Sequence, residues 1–240
     1  MKFENTQVFN FEGAFRGLRN PMNSHSKSDS YTCDETHCIG CPYDSENDDC
    51  NFHQFSTINN PNVFVIGKND MNLAQRMIKG GTEQSKFLRQ IFISVDINAP
   101  RYWWSEFDTY KVGTVSNSCS TMHKLSAYPI TLDMFDIDPN LDDFDEEYWY
   151  YAIKYLESTR QKYNKTKEIN DFRKLKQALP ESFKQKRTIT MNYENIRNMI
   201  RTRSHHRLKE WSTDFINWCH NLPYSEELLF YCNGKDEINE

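Results

Sequence analysis

The chain has 240 residues, 38% of them hydrophobic and 26% charged, a formal net charge of -5, a pI near 5.8 and a mean hydropathy of -0.82. That length supports one substantial core or two small ones, and the presence of only 8 Gly and 8 Pro excludes collagen-like and low-complexity architectures. No apolar run approaches the roughly 20 residues of a membrane-spanning helix, and the polar start MKFENTQVFNFEG lacks the apolar stretch of a secretory signal, so a soluble cytoplasmic protein is expected.

Residues 22–61 are rich in Ser, Asn, Asp, Cys and His and have no sustained apolar period, which predicts a Cys-rich loop insert. Cys33, Cys38, Cys41 and Cys50 crowd this segment with C-x4-C-x2-C-x8-C spacing, and His37 and His53 lie nearby. An odd total of 7 Cys without a signal peptide favours thiols or metal ligands over a disulfide framework. Four soft ligands packed this closely suit a structural Zn2+ ion that orders a core-poor loop; reduced surface thiols and an iron-sulfur cluster are the alternatives.

Beyond the insert, Asn69 or Asp70 is placed to cap a helix with the stripe Leu73, Met77 and Ile78, stopping at Gly80-Gly81. A short helix around Glu83 to Arg89 leads to Ile91, Ile93, Val95 and Ile97, whose period of two predicts a strand ending before Pro100. Trp103, Trp104 and Phe107 precede a hydroxyl-rich run, GTVSNSCSTMH. The acidic residues from Asp133 to Glu147 precede Tyr148, Trp149, Tyr151, Ile153 and Leu156, the charge placement of a helix N-terminus, and lack calcium-loop geometry. A helix is predicted over Ile169 to Ala178, ended by Leu179-Pro180, and a brief strand at Thr188 to Thr190. Tyr193, Ile196, Met199 and Ile200, then Leu208, Trp211, Phe215, Trp218 and Leu222, step by three and four residues and predict two amphipathic helical stretches. There is no βαβ alternation and no glycine-rich phosphate loop, which argues against a dinucleotide-binding Rossmann unit. The mild acidity argues against duplex nucleic acid as a partner, since such binding relies on basic side chains displacing counterions.

Two polar clusters lie beside apolar anchors. One runs from Arg101 to Lys124 and holds Glu106, Tyr110, Lys111, Thr114, Ser116, Asn117, Ser118, Ser120 and His123. The other is TMNYENIRNMIRTRSHHR, with Asn192, Asn198, Arg201, Arg203, His205, His206 and Arg207. A solvated basic face is the simpler reading of the second.

Three stretches within about Leu73 to Trp218 resemble the flavin-dependent thymidylate synthases, the ThyX family. IFISVDINAPRYWWSEFDTYK is similar to the family's strand and Ala-Pro turn. TYKVGTVSNSCSTMHKL resembles its signature Arg-His-Arg-x-x-Ser-x-Asn-Glu-x-Ser-x-Arg-Tyr with one extra residue near Val115 or Ser116. LPESFKQKRTITMNYENIRNMIRTR resembles its Leu-Pro element and its asparagine-bearing strand and helix. The blocks RYWWSEFDTYKVGT and HxLKEW resemble phage and Firmicutes members.

The resemblance implies a single α/β domain over residues 1–240, a ThyX-like mixed or antiparallel sheet packed with helices, carrying the Cys-rich insert. It implies FAD as cofactor, with NAD(P)H and methylenetetrahydrofolate as cosubstrates, and transfer of a one-carbon unit to C5 of dUMP. It places Lys111, Thr114, Asn117, Asn192 and Asn198 on the flavin and Glu106, Ser120, Lys176 and Arg203 on the nucleotide, with Arg203 stabilising charge on the uracil carbonyl. It also implies a homotetramer with flavin sites between subunits, in the host cytoplasm if the protein is phage-encoded. Thr109, Tyr110 and Met122 stand where the signature has Arg, His and Arg, which removes positive charge from a phosphate-binding site; Arg101, His123 and Lys124 are nearby cations that can replace it. Modification of another pyrimidine nucleotide, or a flavin- or nucleotide-binding protein without catalysis, are the alternatives. Cys119 reads as a packing or loop cysteine more readily than as a nucleophile.

Overall fold

The computed structural model describes residues 1–33 and 63–232. In chain order the elements are β1 (Lys2–Phe9), α1 (Phe11–Arg19), β2 (Tyr31–Cys33), β3 (Val63–Val65), α2 (Lys68–Lys79), β4 (Phe92–Pro100), α3 (Arg101–Phe107), β5 (Val115–Ser118), α4 (Thr121–Lys124), α5 (Asp143–Thr166), α6 (Ile169–Ala178), β6 (Lys184–Asn192), α7 (Tyr193–Arg203) and α8 (Ile216–His220). A four-stranded sheet has the order β1-β4-β6-β5. β2 and β3 form a separate antiparallel pair with Tyr31 opposite Val65 and Cys33 opposite Val63. The architecture is therefore α/β, as expected.

The residues group into two compact units, one comprising Met1–Phe3, Asp96–Tyr110 and Ser116–Thr188, the other Glu4–Val95, Lys111–Val115 and Ile189–Glu240. In the first unit Leu125, Ile130, Phe135, Leu156, Leu175 and Leu179 form a buried core, with Trp149, Ile153 and Phe183 packed against it. Trp103, Trp104 and Phe107 make a second apolar knot on α3, with Trp103 and Phe107 stacked at 5.1 Å. The α5 start is built as the acidic run predicts: Asp142 accepts from the backbone of Phe144 and Asp145, and the Asp145 side chain returns to the Asp142 amide. This capping box satisfies amides left free by the first helical turn.

In the second unit the core gathers Phe11, Tyr193 and Tyr224, whose rings meet edge to face. The Tyr193 hydroxyl donates to the Pro223 carbonyl at 2.6 Å. Trp211 and Phe215 are fully buried on a π-helical turn, Glu210–Phe215, that runs into α8.

The boundaries of α6 agree with expectation, and β4 carries the expected alternation with Ile93, Val95 and Ile97 buried. Three expectations need correction. Asn69 and Asp70 do not cap α2; its cap position is Gly67, and the Asp29 side chain accepts from the amides of Asn69 and Asp70 instead. Asp70 is freed for a buried ion pair with Arg19 at 2.6 Å and hydrogen bonds from Ser28 and Ser30. The strand at Thr188 to Thr190 extends over Lys184–Asn192, because long polar side chains occupy its exposed positions and hide the alternation. The helix over Glu83 to Arg89 is a 3-10 turn, Lys86–Gln90.

Candidate functional site

Within the first unit, Ser120 and Lys176 come together through Thr121. Ser120 occupies the cap position of the short α4. Lys176, in the last turn of α6, donates from Nζ to Thr121 Oγ1 at 2.6 Å. Burial, and secondly the Arg101 guanidinium, hold the Lys176 ammonium below the usual lysine range. Arg101 is itself paired with Glu181 at 3.0 Å, but among the described residues Lys176 has no carboxylate partner. Two cations that disfavour each other beside hydroxyl groups are the electrostatic signature of a place for an anion.

Ser120 and Thr121 also line a cavity of about 470 Å3, with Cys119, Lys124, Tyr128 and Phe183 on its walls. Cys119 is exposed, and its backbone amide and carbonyl are bound by the Lys186 carbonyl and the Gln185 side chain. The positions that depart from the signature are occupied locally. The Thr109 hydroxyl donates to the Glu106 carbonyl at 2.7 Å, closing the end of α3, while Met122 is exposed. Glu106 is half-buried on α3, and Asn117 is exposed on β5. A cation that sequence reasoning missed is Arg187. Its guanidinium pairs with Asp108, the residue before Thr109 in the chain, at 2.7 Å and lies 4.2 Å over the Trp104 ring.

In the second unit, the loop that carries Lys111 and Thr114 meets Asn192 and Asn195 at the N-terminus of α7 through Val112 and Gly113. Asn192 and Asn195 exchange a reciprocal cap, Asn192 Oδ1 accepting from the Asn195 amide at 3.0 Å and Asn195 Oδ1 from the Asn192 amide at 3.2 Å. Asn195 Nδ2 donates to the Val112 carbonyl at 2.7 Å, tying the Lys111–Val115 loop to the helix. Gly113 makes this approach possible: its φ is +73°, and a Cβ there would meet Asn192 Nδ2 at 2.9 Å. The Thr114 Oγ1 atom is buried and has no hydrogen-bond partner, which is costly unless a ligand or water satisfies it. A flat cofactor with carbonyl and ring-nitrogen acceptors fits this set: an orphan hydroxyl at Thr114 and the Asn192 amide lie on either side of Gly113, in a loop whose Lys111 is exposed.

Asn198 lies farther along α7, on a different face from Asn192, and is half-buried. Arg203 ends α7 with its guanidinium 4.9 Å over the ring of buried Trp211. His206 packs near the same indole, at 6.5 Å between ring centres, and its Nδ1 accepts from the Leu208 amide. The basic stretch is thus a held arrangement at Arg203 and His206, while Arg201, His205 and Arg207 are exposed.

Cys38, Cys41 and Cys50 lie outside the described residues, and Cys33 is described in its backbone alone, so the expected metal ligands fall outside this geometry. Among the described residues no cluster of metal-ligating side chains occurs, and no helix is long and apolar enough to cross a membrane.

No family model matches the sequence, and no curated protein matches it. In structure the chain is similar to thymidylate synthase X from Helicobacter pylori crystallised with FAD and dUMP, with a TM-score of 0.66 and 17% identity over 98% of this chain and 100% of that one. It is also similar to the flavin-dependent thymidylate synthase ThyX of Helicobacter pylori complexed with FAD and dUMP, with a TM-score of 0.62 and 17% identity over 97% and 99% of the two chains. At that identity the likeness is one of fold, and the fold of this chain is the ThyX fold.

Proposed function

We propose that the protein is a flavin-dependent thymidylate synthase that binds FAD and dUMP, takes its carbon from methylenetetrahydrofolate and its reducing equivalents from NAD(P)H. The observation that carries this reading is the end-to-end match of fold to proteins crystallised with FAD and dUMP. The flavin supplies the hydride chemistry, and the protein's contribution is to bind, orient and polarise.

In this reading Lys111, Thr114 and Asn192 hold the flavin at the cradle before α7, with Asn117 and Asn198 as further contacts. Lys176 receives the nucleotide phosphate and Ser120 an adjacent oxygen, while Glu106 contacts the nucleotide. Arg203 directs its N–H groups at the uracil carbonyl, and stacking on Trp211 keeps the guanidinium planar and oriented. A fixed guanidinium stabilises charge as it develops on that oxygen without reorganising during the reaction. The resemblance builds such sites between subunits of a homotetramer, so residues of different copies complete one site. The insert cysteines hold a structural Zn2+ ion.

The visible spectrum after addition of FAD tests the cofactor assignment: bound flavin whose absorption changes on adding dUMP is expected. A protein that takes up no FAD refutes the reading. Replacing Arg203 by Ala should abolish turnover while leaving FAD binding intact; unchanged turnover removes Arg203 from the reaction.

A further inference from the structure

Ser120 and Thr121 can meet an anion only as the backbone before them aims them, and that backbone is gripped at the Cys119–Ser120 peptide. The Cys119 amide donates to the Lys186 carbonyl at 2.9 Å, a main-chain bond to β6. The Cys119 carbonyl is held differently, by a side chain: Gln185 Nε2 donates to it at 2.8 Å. Because a peptide unit is planar, the direction of this carbonyl sets the direction of the Ser120 amide and the place of its Cα. The Ser120 side chain follows from it, and so does the Thr121 hydroxyl that accepts from Lys176 at 2.6 Å. Ser120 stands at the cap position of α4, yet among the described residues its hydroxyl makes no cap hydrogen bond, so helix capping does not occupy it.

Gln185 is itself aimed. Its Oε1 accepts from Arg187 Nε at 3.1 Å, which commits the amide nitrogen to the other side, towards Cys119. Turned over, the amide would set N–H against N–H and oxygen against carbonyl oxygen. Arg187 in turn is fixed by Asp108 at 2.7 Å and by the Trp104 ring at 4.2 Å. The same indole donates from Nε1 to the Gln185 carbonyl at 2.9 Å, so the main chain and the side chain of Gln185 are both tied to α3. A chain of contacts thus runs from Asp108 and Trp104 through Arg187 and Gln185 to the Cys119–Ser120 peptide. Every member lies in the first unit.

We propose that Gln185 is a positioning residue for the anion site. With Arg187 behind it, it fixes the Cys119–Ser120 peptide so that the Ser120 hydroxyl and the Lys176–Thr121 pair are oriented before a phosphate arrives, which spares the cost of ordering them on binding. That this phosphate belongs to dUMP rests on the thymidylate synthase reading; that the loop is held ready for an anion does not.

Gln185→Leu keeps the approximate size, adds no charge, and removes the donor to Cys119 together with the acceptor for Arg187. Hydrogen exchange in the free protein reads the peptide itself: amides of residues 119–124 should exchange roughly tenfold faster than in the wild type. Titration reads the site. Inorganic phosphate and dUMP should each bind roughly five- to tenfold more weakly, while deoxyuridine binds as it does to the wild type. Ser120→Ala should weaken dUMP binding in the wild type but add less than about twofold in the Gln185→Leu background, since residues acting through one another are not additive. Arg187→Met should give the same pattern in milder form, and it carries the test should Gln185→Leu fold poorly. Unchanged exchange over 119–124, equal weakening of dUMP and deoxyuridine, or additive losses for Ser120→Ala and Gln185→Leu overturns the proposal. A wild type that binds phosphate with this dependence on Gln185, but does not bind dUMP, supports the positioning role and refutes the thymidylate synthase reading; one that binds neither overturns both.

Discussion

Removing the Lys176 ammonium provides a specific test of phosphate recognition. In the free protein this ammonium is partly buried, hydrogen-bonded to Thr121 and disfavoured by Arg101. A phosphate dianion would turn both effects to advantage, since the cations would then flank opposite charge. A hydrogen bond to a charged partner contributes about 1.5–3 kcal/mol, and at about 1.4 kcal/mol per decade Lys176→Ala should weaken dUMP binding roughly 10- to 150-fold. Deoxyuridine, which has no phosphate, should bind both proteins alike. Arg101→Ala should cost less, about 0.5–1 kcal/mol or two- to fivefold, because its guanidinium is shared with Glu181 and partly solvated. The pH dependence has a definite sign. A lowered lysine pKa means that the free protein loses the Lys176 proton below the ordinary lysine range, so dUMP affinity falls as pH rises through that depressed value. Binding raises the pKa and is accompanied by proton uptake in the same window. Calorimetry in buffers of different ionisation enthalpy reads both quantities. Thr121→Val separates loss of the local hydrogen bond from loss of the charge. Equal weakening of dUMP and deoxyuridine, or no weakening of either, would refute the assignment.

Gly113→Ala forces a side chain into a left-handed backbone position against Asn192; at about 1–1.4 kcal/mol it should weaken FAD binding roughly five- to tenfold, read by fluorescence titration. Asp70→Ala leaves the Arg19 guanidinium buried without its partner and should cost about 3–5 kcal/mol, visible as a melting temperature lower by roughly 6–20 °C. Glu157 is hydrogen-bonded by Arg160, which outweighs burial and brings its pKa down to about 2. A depressed carboxylate contributes stability above its unfolded value near 4.5 that is lost as pH falls towards 2. The wild type should therefore lose about 1–2 kcal/mol more than Glu157→Gln across that window in acid denaturation.

What the sequence reveals depends on whether the signal is local. α6 and the start of α5 are legible because cap, acidic first turn and apolar steps lie within a few residues of one another. α1 was missed: Gly13 and Gly17 lower its helix propensity, yet Phe11, Ala14 and Phe15 are buried. A Cβ at Gly13 or Gly17 would strike Asn10 or Gln90, so the glycines serve close packing that no local pattern records. β1 was missed for a similar reason, since its polar side chains mask any alternation. Asp70 resembles a helix cap by position but is taken by Arg19, fifty-one residues away in the chain. In the site, residue types came through the resemblance, whereas the approach of Arg101 to Lys176, the Arg187 stack and the cradle of Gly113 with Asn192 are long-range contacts. No spacing rule links those positions.

The central claim is tested most directly by turnover. The purified full chain, loaded with FAD and supplied with dUMP, methylenetetrahydrofolate and NADPH, is expected to form thymidylate, with formation abolished in Arg203→Ala. A flavin-loaded protein that binds dUMP yet forms no thymidylate under these conditions would contradict the account.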